Sequence, residues 1–198
     1  MNDAAAARPL AQRRWQFSYG GATLTEFEPA DVRTLFEIRN HETVRPFMPD
    51  PTPLQFERHE AWVAGHLGAG RPLRLFIARQ QGQAVGFTIF KQVAAGVGEI
   101  GVLFKEPDRH TTLAAQTAAV MLWVCCAHFG MDWVLTFVNP GHERALAINR
   151  GFGLIEAASD KAGELCFRTP ASVVLEHPRY RRIWSRLDRQ FSAQLLAG

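Results

Sequence analysis

Between Thr111 and Phe129 the chain reads TTLAAQTAAVMLWVCCAHF, a helix-forming stretch that is apolar almost all round through Val120, Met121, Leu122, Trp123, Val124 and Cys125. A helix without a polar face has to be covered on several sides, so the rest of the chain must be built around it. The residues just before it are as informative. Gly98 to Phe104 (GEIGVLF) has the β-branched and aromatic content of a buried strand, Pro107 ends it, and Thr111 or Thr112 is placed to cap the helix. A strand, a basic turn and a helix N-terminus in that order can hold an anion, because the unpaired N–H groups of the first turn, with Arg109 and His110 beside them, form a partial positive charge.

The flanking pattern supplies the cover. Trp15 to Tyr19 and Ala22 to Phe27, either side of Gly20-Gly21, predict a hairpin or a short edge strand before the first core strand, and Pro29 opens a helix over Ala30 to Asn40. The segment HETVRPFMPDPTP is a loop rich in proline, followed by a helix over Phe56 to Leu67. From Leu73 the period changes to that of strands: Leu73 to Arg79 and Ala84 to Val93 pair around Gln81-Gly82, and the strand from Gly98 follows. After the long helix come a buried strand, Trp133 to Val138, a helix over His142 to Phe152, and a strand pair at Leu154 to Ala158 and Glu164 to Arg168. The order is β, α, α, β, β, β, α, β, α, β, β, with no internal repeat. It predicts one α+β domain over 15–170, preceded by a flexible tail over 1–14.

The segment 171–198 carries a further pattern. Tyr180, Ile183, Trp184, Leu187, Phe191 and Leu195 recur at three- and four-residue steps with arginines between them, which predicts an amphipathic basic helix over Glu176 to Leu196. An exposed stripe of Tyr180, Trp184 and Phe191 would suit a homodimer.

Composition narrows the function classes. A net charge of +3 gives no warrant for a nucleic-acid partner. The longest apolar run, Thr117 to Ala127, is too short to span a bilayer, and MNDAAAARPLAQRRW lacks the apolar core of a signal peptide. Three cysteines, two of them adjacent, point to a reducing compartment, and a cytoplasmic protein is the expectation. Cys125 and His128 stand one helical turn apart without other ligands at fitting spacing, so no metal site is expected.

The ordered set of segments resembles the GNAT superfamily of acetyl-CoA-dependent N-acetyltransferases, and within it the branch that acetylates ribosomal-protein N-termini and related amines. TEFEPADVRTLFEIRNHETVRPFM is similar to that branch's first strand, helix and loop, and GQAVGFTIFKQV and GEIGVLF to its third and fourth strands. FGMDWVLTFV and HERALAINRGFGL are similar to its fifth strand and last core helix. The likeness covers roughly residues 22 to 168 and implies a mostly antiparallel sheet with helices on both faces, splayed between the family's strands 4 and 5.

The resemblance also implies roles. Acetyl-CoA would be the cosubstrate and a primary amine, on a protein N-terminus or a small molecule, the acceptor, with no metal. The backbone of Val102, Leu103 and Phe104 would hold the pantetheine arm, and Arg109, His110, Thr111, Thr112, Leu113 and Ala114 the pyrophosphate, with Asn139 and His142 also at the cofactor. Thr112 stands where the family's turn carries its middle glycine. Glu99 is the candidate general base and Asn149 the group at the leaving sulfur, at the place where many members carry a tyrosine; His41 and Glu42 fall where members recognise the acceptor. The alternative is a binding or regulatory module that keeps the fold without efficient catalysis.

Overall fold

The computed structural model describes residues 14–48, 50–67, 73–107 and 109–196. The tail expected over 1–14 lies outside the described residues except for Arg14, which opens the first strand. Strands β1 (Arg14–Tyr19) and β2 (Ala22–Glu26) form a hairpin in which Gly20 and Gly21 both take positive φ, 51° and 78°. Glycine does this without the steric penalty that other residues meet. A 3₁₀ turn, Pro29–Asp31, leads into α1 (Val32–Asn40), and α2 (Phe56–His66) follows the proline-rich loop. The meander β3 (Leu73–Gln80), β4 (Gln83–Ala94) and β5 (Val97–Phe104) then runs into α3 (Thr111–Trp123). Beyond α3 lie β6 (Trp133–Val138), α4 (Glu143–Gly151), β7 (Glu156–Ala157) and β8 (Leu165–Pro170).

The chain closes with α5 (Ala171–Glu176), α6 (Pro178–Leu187) and β9 (Ser192–Leu196). All nine strands form one sheet in the order β7-β8-β6-β5-β4-β3-β2-β1-β9, antiparallel throughout except between β5 and β6. The fold is α+β, with a mostly antiparallel sheet and helices on both faces. Alternation along the strands sorts the core into two. Phe17, Leu24, Phe76, Ile100 and Phe104 pack with α3, while Leu75, Ile77, Phe87 and Leu103 pack with Leu35 and Ile38 of α1 and Val63 of α2.

The all-apolar helix is covered as its sequence requires: residues 117–122 are buried, and the chain continues through a π-helical turn, Val124–His128, until Gly130 at φ 67° turns it away. As one helical segment of 18 residues to His128 it is long enough to cross a bilayer by length and composition, contrary to the expectation from its apolar run; it is the core helix of the domain. Its approach to β5 is close. A Cβ on Gly98 would come within 2.5 Å of Cys125 Sγ and 2.9 Å of Met131, so no side chain fits there. His128 is enclosed by Trp15, Phe17, Trp123 and Phe129, and no group of three or more metal-ligating side chains occurs among the described residues.

The C-terminal segment differs from the helix expected over Glu176 to Leu196. His177 is extended (φ −60°, ψ 132°) because the residue before a proline is pushed out of the helical region, so α5 stops and α6 restarts at Pro178. The helix ends at Leu187, and Ser192–Leu196 adds to the open edge of β1, from Arg14↔Leu196 to Ser18↔Ser192. An unpaired strand edge is a strong template, and here it overrides a helical period. The aromatic stripe is also turned inward. Tyr180 is buried, Trp184 stacks on Trp123, and Phe191 stacks on Phe17, so the stripe expected to be exposed for a dimer packs largely against the domain.

Candidate active site

Strands β5 and β6 pair only from Val97↔Trp133 to Glu99↔Leu135. Beyond those residues they part around a cavity of about 940 Å³. Among the described residues no strand pairs with β5 on this side past Glu99, so the stretch from Ile100 to Phe104 offers a free strand edge to the cavity. Small side chains keep the space open: Ala114 and Ala118 on α3, at helical spacing, face Ala145 on α4 across it. The cavity passes through the sheet. Ile100 and Phe104 point to α3, so the alternation of β5 turns Glu99, Gly101 and Leu103 to the opposite face, where Phe137 of β6 also lies.

On the α3 face, Asn149 lines the cavity, and its Nδ2 is buried with no hydrogen-bond partner among the described residues. A buried unmade donor costs about 1–3 kcal/mol, which a ligand acceptor would recover. Asn139 and His142 line the same wall. Asn139 Oδ1 accepts from the Gly141 N–H at 2.8 Å, and His142, the N-cap of α4, accepts at Nδ1 from the Ala145 N–H at 3.4 Å. Burial pushes the His142 imidazole down from its ordinary value, partly opposed by a backbone hydrogen bond.

The turn before α3 divides the residues expected at the pyrophosphate. Thr111 and Ala114 line the cavity, as do Val102, Leu103 and Phe104, whereas Arg109, His110, Thr112 and Leu113 are not in its walls. Arg109 pairs with Glu106 at 3.4 Å on the exposed surface, and Leu113 is buried in the core. The cap of α3 is His110 rather than a threonine, and it makes no side-chain cap hydrogen bond; the Thr111 hydroxyl donates to the Pro107 carbonyl at 3.0 Å. The His110 ring is buried near Phe104, and burial, with Arg109 beside it, holds its proton affinity down. Thr112 is an exposed residue of the first helical turn and has no positive φ, so a β-branched side chain stands there without strain. The positive φ falls instead on Glu106, at 46°, whose N–H donates to Thr43 Oγ1 at 3.0 Å.

That bond ties the turn before α3 to the proline-rich loop on the other face. Thr43, Val44, Phe47 and Met48 line the cavity from this loop, and Phe47 stacks on His142 with ring centroids 3.9 Å apart. His41 and Glu42 do not line it: His41 Nδ1 bonds Thr43 Oγ1 at 2.9 Å, and Glu42 is exposed. The period of the loop hides which residues turn in, and sequence reasoning missed all four.

It also missed the partner of Glu99. Glu99 Oε1 accepts from Lys161 Nζ at 3.0 Å, and the same ammonium lies 3.5 Å from the centroid of the Phe137 ring. Lys161 stands in the turn between β7 and β8, which is held by the Ser159 hydroxyl donating to the Lys161 carbonyl at 3.0 Å. Neither tyrosine reaches the cavity. Tyr19 bonds Thr117 at 2.6 Å and Tyr180, on α6, is buried against Phe152 and Trp184, and burial raises both phenols above their ordinary range.

With this geometry in view, the profile of the acetyltransferase (GNAT) domain matches residues 22–155, from the first residue of β2 to the residue before β7. The chain belongs to the GNAT acetyltransferases. Solved structures share this GNAT fold. A spermidine N-acetyltransferase from Vibrio cholerae, in complex with CoA and spermine, superposes with a TM-score of 0.66 at 14% identity, over 79% of this chain and 99% of that one. A probable GNAT-family acetyltransferase from Chromobacterium violaceum gives 0.64 at 17% identity, over 79% and 96%. A domain from Methanocaldococcus jannaschii gives 0.65 at 15%, over 77% and 99%. No curated protein matches the chain in sequence. GNAT acetyltransferases take acetyl-CoA as cosubstrate, and this cavity suits an extended thioester arm: an open strand edge, alanine walls and an orphaned amide donor.

Proposed function

We propose that this acetyltransferase moves the acetyl group of acetyl-CoA to a primary amine by direct attack of that amine. The observation that carries the reading is the parting of β5 and β6 beyond Glu99 around a cavity that holds the unpartnered Asn149 amide. Bound there, acetyl-CoA supplies an activated acyl carbon and a thiol leaving group. The backbone of Val102 to Phe104 pairs with the pantetheine arm as an added strand would, and one of its N–H groups polarises the thioester oxygen. Thr111 and Ala114, at the positive end of α3, hold the pyrophosphate, with Arg109 released from Glu106 to join them. Glu99 takes the proton of the incoming ammonium, for which Lys161 must first leave it. Asn149 donates to the departing sulfur, since neither tyrosine is available as an acid.

The likeness to a spermidine N-acetyltransferase supports an amine as acceptor, and the resemblance to the ribosomal-protein branch keeps a protein N-terminus as its second form. Three buried free thiols support a reducing, cytoplasmic setting. Calorimetric titration with acetyl-CoA tests the reading, followed by thiol release with spermidine and with an N-terminal peptide. Binding is expected, weaker by roughly 5- to 30-fold in Asn149→Ala. No heat and no thermal stabilisation at millimolar cofactor would sink it.

A further inference from the structure

The fold itself delivers an amine to the candidate base. Of 22 basic side chains only three are lysines, Lys91, Lys105 and Lys161, and one of these three, Lys161, lines the mouth of the cleft with its side chain 42% exposed. Its Nζ is 3.0 Å from Glu99 Oε1, within the roughly 2.6–3.2 Å that a general base needs to take a proton. The Phe137 ring, 3.5 Å away, fixes it from the second wall. Lys161 thus lies on the face of the sheet opposite α3, the side left for an acceptor when the cofactor arm runs along α3 and α4. An arginine would make both contacts as well or better, and arginine is what the chain uses almost everywhere else. What lysine adds is a nitrogen that can lose its proton and be acylated.

We propose that Lys161 is itself an acetyl acceptor, a modification site at the mouth of the cleft; this rests on the acetyltransferase reading above. Glu99 takes one proton from the Lys161 ammonium, and the freed Nζ lone pair forms the bond to the acetyl carbonyl carbon. The carbon–sulfur bond breaks, and its electron pair leaves on the CoA sulfur. Of the two protons that Nζ loses in all, one ends on the CoA thiol and one in water, so no oxidant or reductant is needed. The product amide carries no charge. It can no longer form an ion pair with Glu99 or act as a cation on Phe137, which weakens its hold on the carboxylate that an external amine needs.

The test is incubation of the full chain with acetyl-CoA, with digestion and mass measurement at each lysine over time. Lys91 and Lys105 report the uncatalysed background, and Lys91 is a stringent control because it lies directly across the strand pair from Glu99. Acetylation at Lys161 is expected at least roughly tenfold faster than at either, and Lys161→Arg should lose that fast component. A second readout needs no cofactor: in the spectrum of lysine-labelled protein, the Lys161 side-chain signal should be displaced by the Phe137 ring current and return in Phe137→Leu. Equal rates at the three lysines, with acetyl-CoA binding intact by calorimetry, overturn the inference and leave the acetyltransferase reading standing. An undisplaced Lys161 signal also overturns it. Absence of acetyl-CoA binding removes both.

Discussion

The two mouths of the cleft are made of different material. Towards α3 and α4 the residues that leave the space open are alanines, Ala114, Ala118 and Ala145, beside Asn139, His142 and the orphaned amide of Asn149; towards the other face stand a carboxylate, an ammonium and the rings of Phe137 and Phe47. The first mouth is specified by what is left out, since an alanine at each facing position keeps a channel that larger side chains would fill. The second is specified by charge already balanced within the chain. One side awaits a ligand, and the other must give up an internal partner to receive one.

Three experiments press on that contrast. Glu99→Gln should lower acetyl transfer roughly 100-fold or more while leaving acetyl-CoA affinity unchanged, as thiol release and calorimetry would read; an equal loss of affinity would show that the two mouths are not separable. Ala114→Phe puts a ring into the apolar channel. It should weaken acetyl-CoA roughly tenfold, and it should leave the thermal midpoint nearly unchanged because Ala114 is only partly buried. The smallest effect concerns pH. Burial depresses the proton affinity of His59, His110, His128 and His142, so the unfolded chain binds protons more readily than the folded one. The stability these rings contribute is complete above the ordinary histidine value of about 6.5 and is lost as pH falls through and below it. The thermal midpoint should drop by a few degrees between pH 7 and 5.5, and less in His110→Gln.

What could be read from the residues was local. The strand Gly98 to Phe104, the turn and the helix from Thr111 appear as expected because alternation, proline and helical spacing act within a few positions. The C-terminal helix was misread for a reason that is partly local and partly not. Pro178 was visible, and its effect on His177 divides α5 from α6; the capture of Ser192–Leu196 by β1 was not, because the open edge belongs to the far end of the chain. The same distance hid the site's charge pairing, as Glu99 and Lys161 are 62 positions apart. Thr112 gave the opposite lesson. It stands where the family's turn carries a glycine, yet its place in the first helical turn needs none, and the unusual φ is at Glu106.

By itself the sequence determined that one uniformly apolar helix had to be wrapped, and that a strand and a basic turn led into it, since burial and backbone preference act on neighbouring residues. Only the tertiary structure decided that β5 and β6 part after Glu99, that Asn149 is left without a partner, and that Lys161 reaches the carboxylate. Those facts depend on strand register and on the closure of a distant turn, and neither is written in any single stretch of chain.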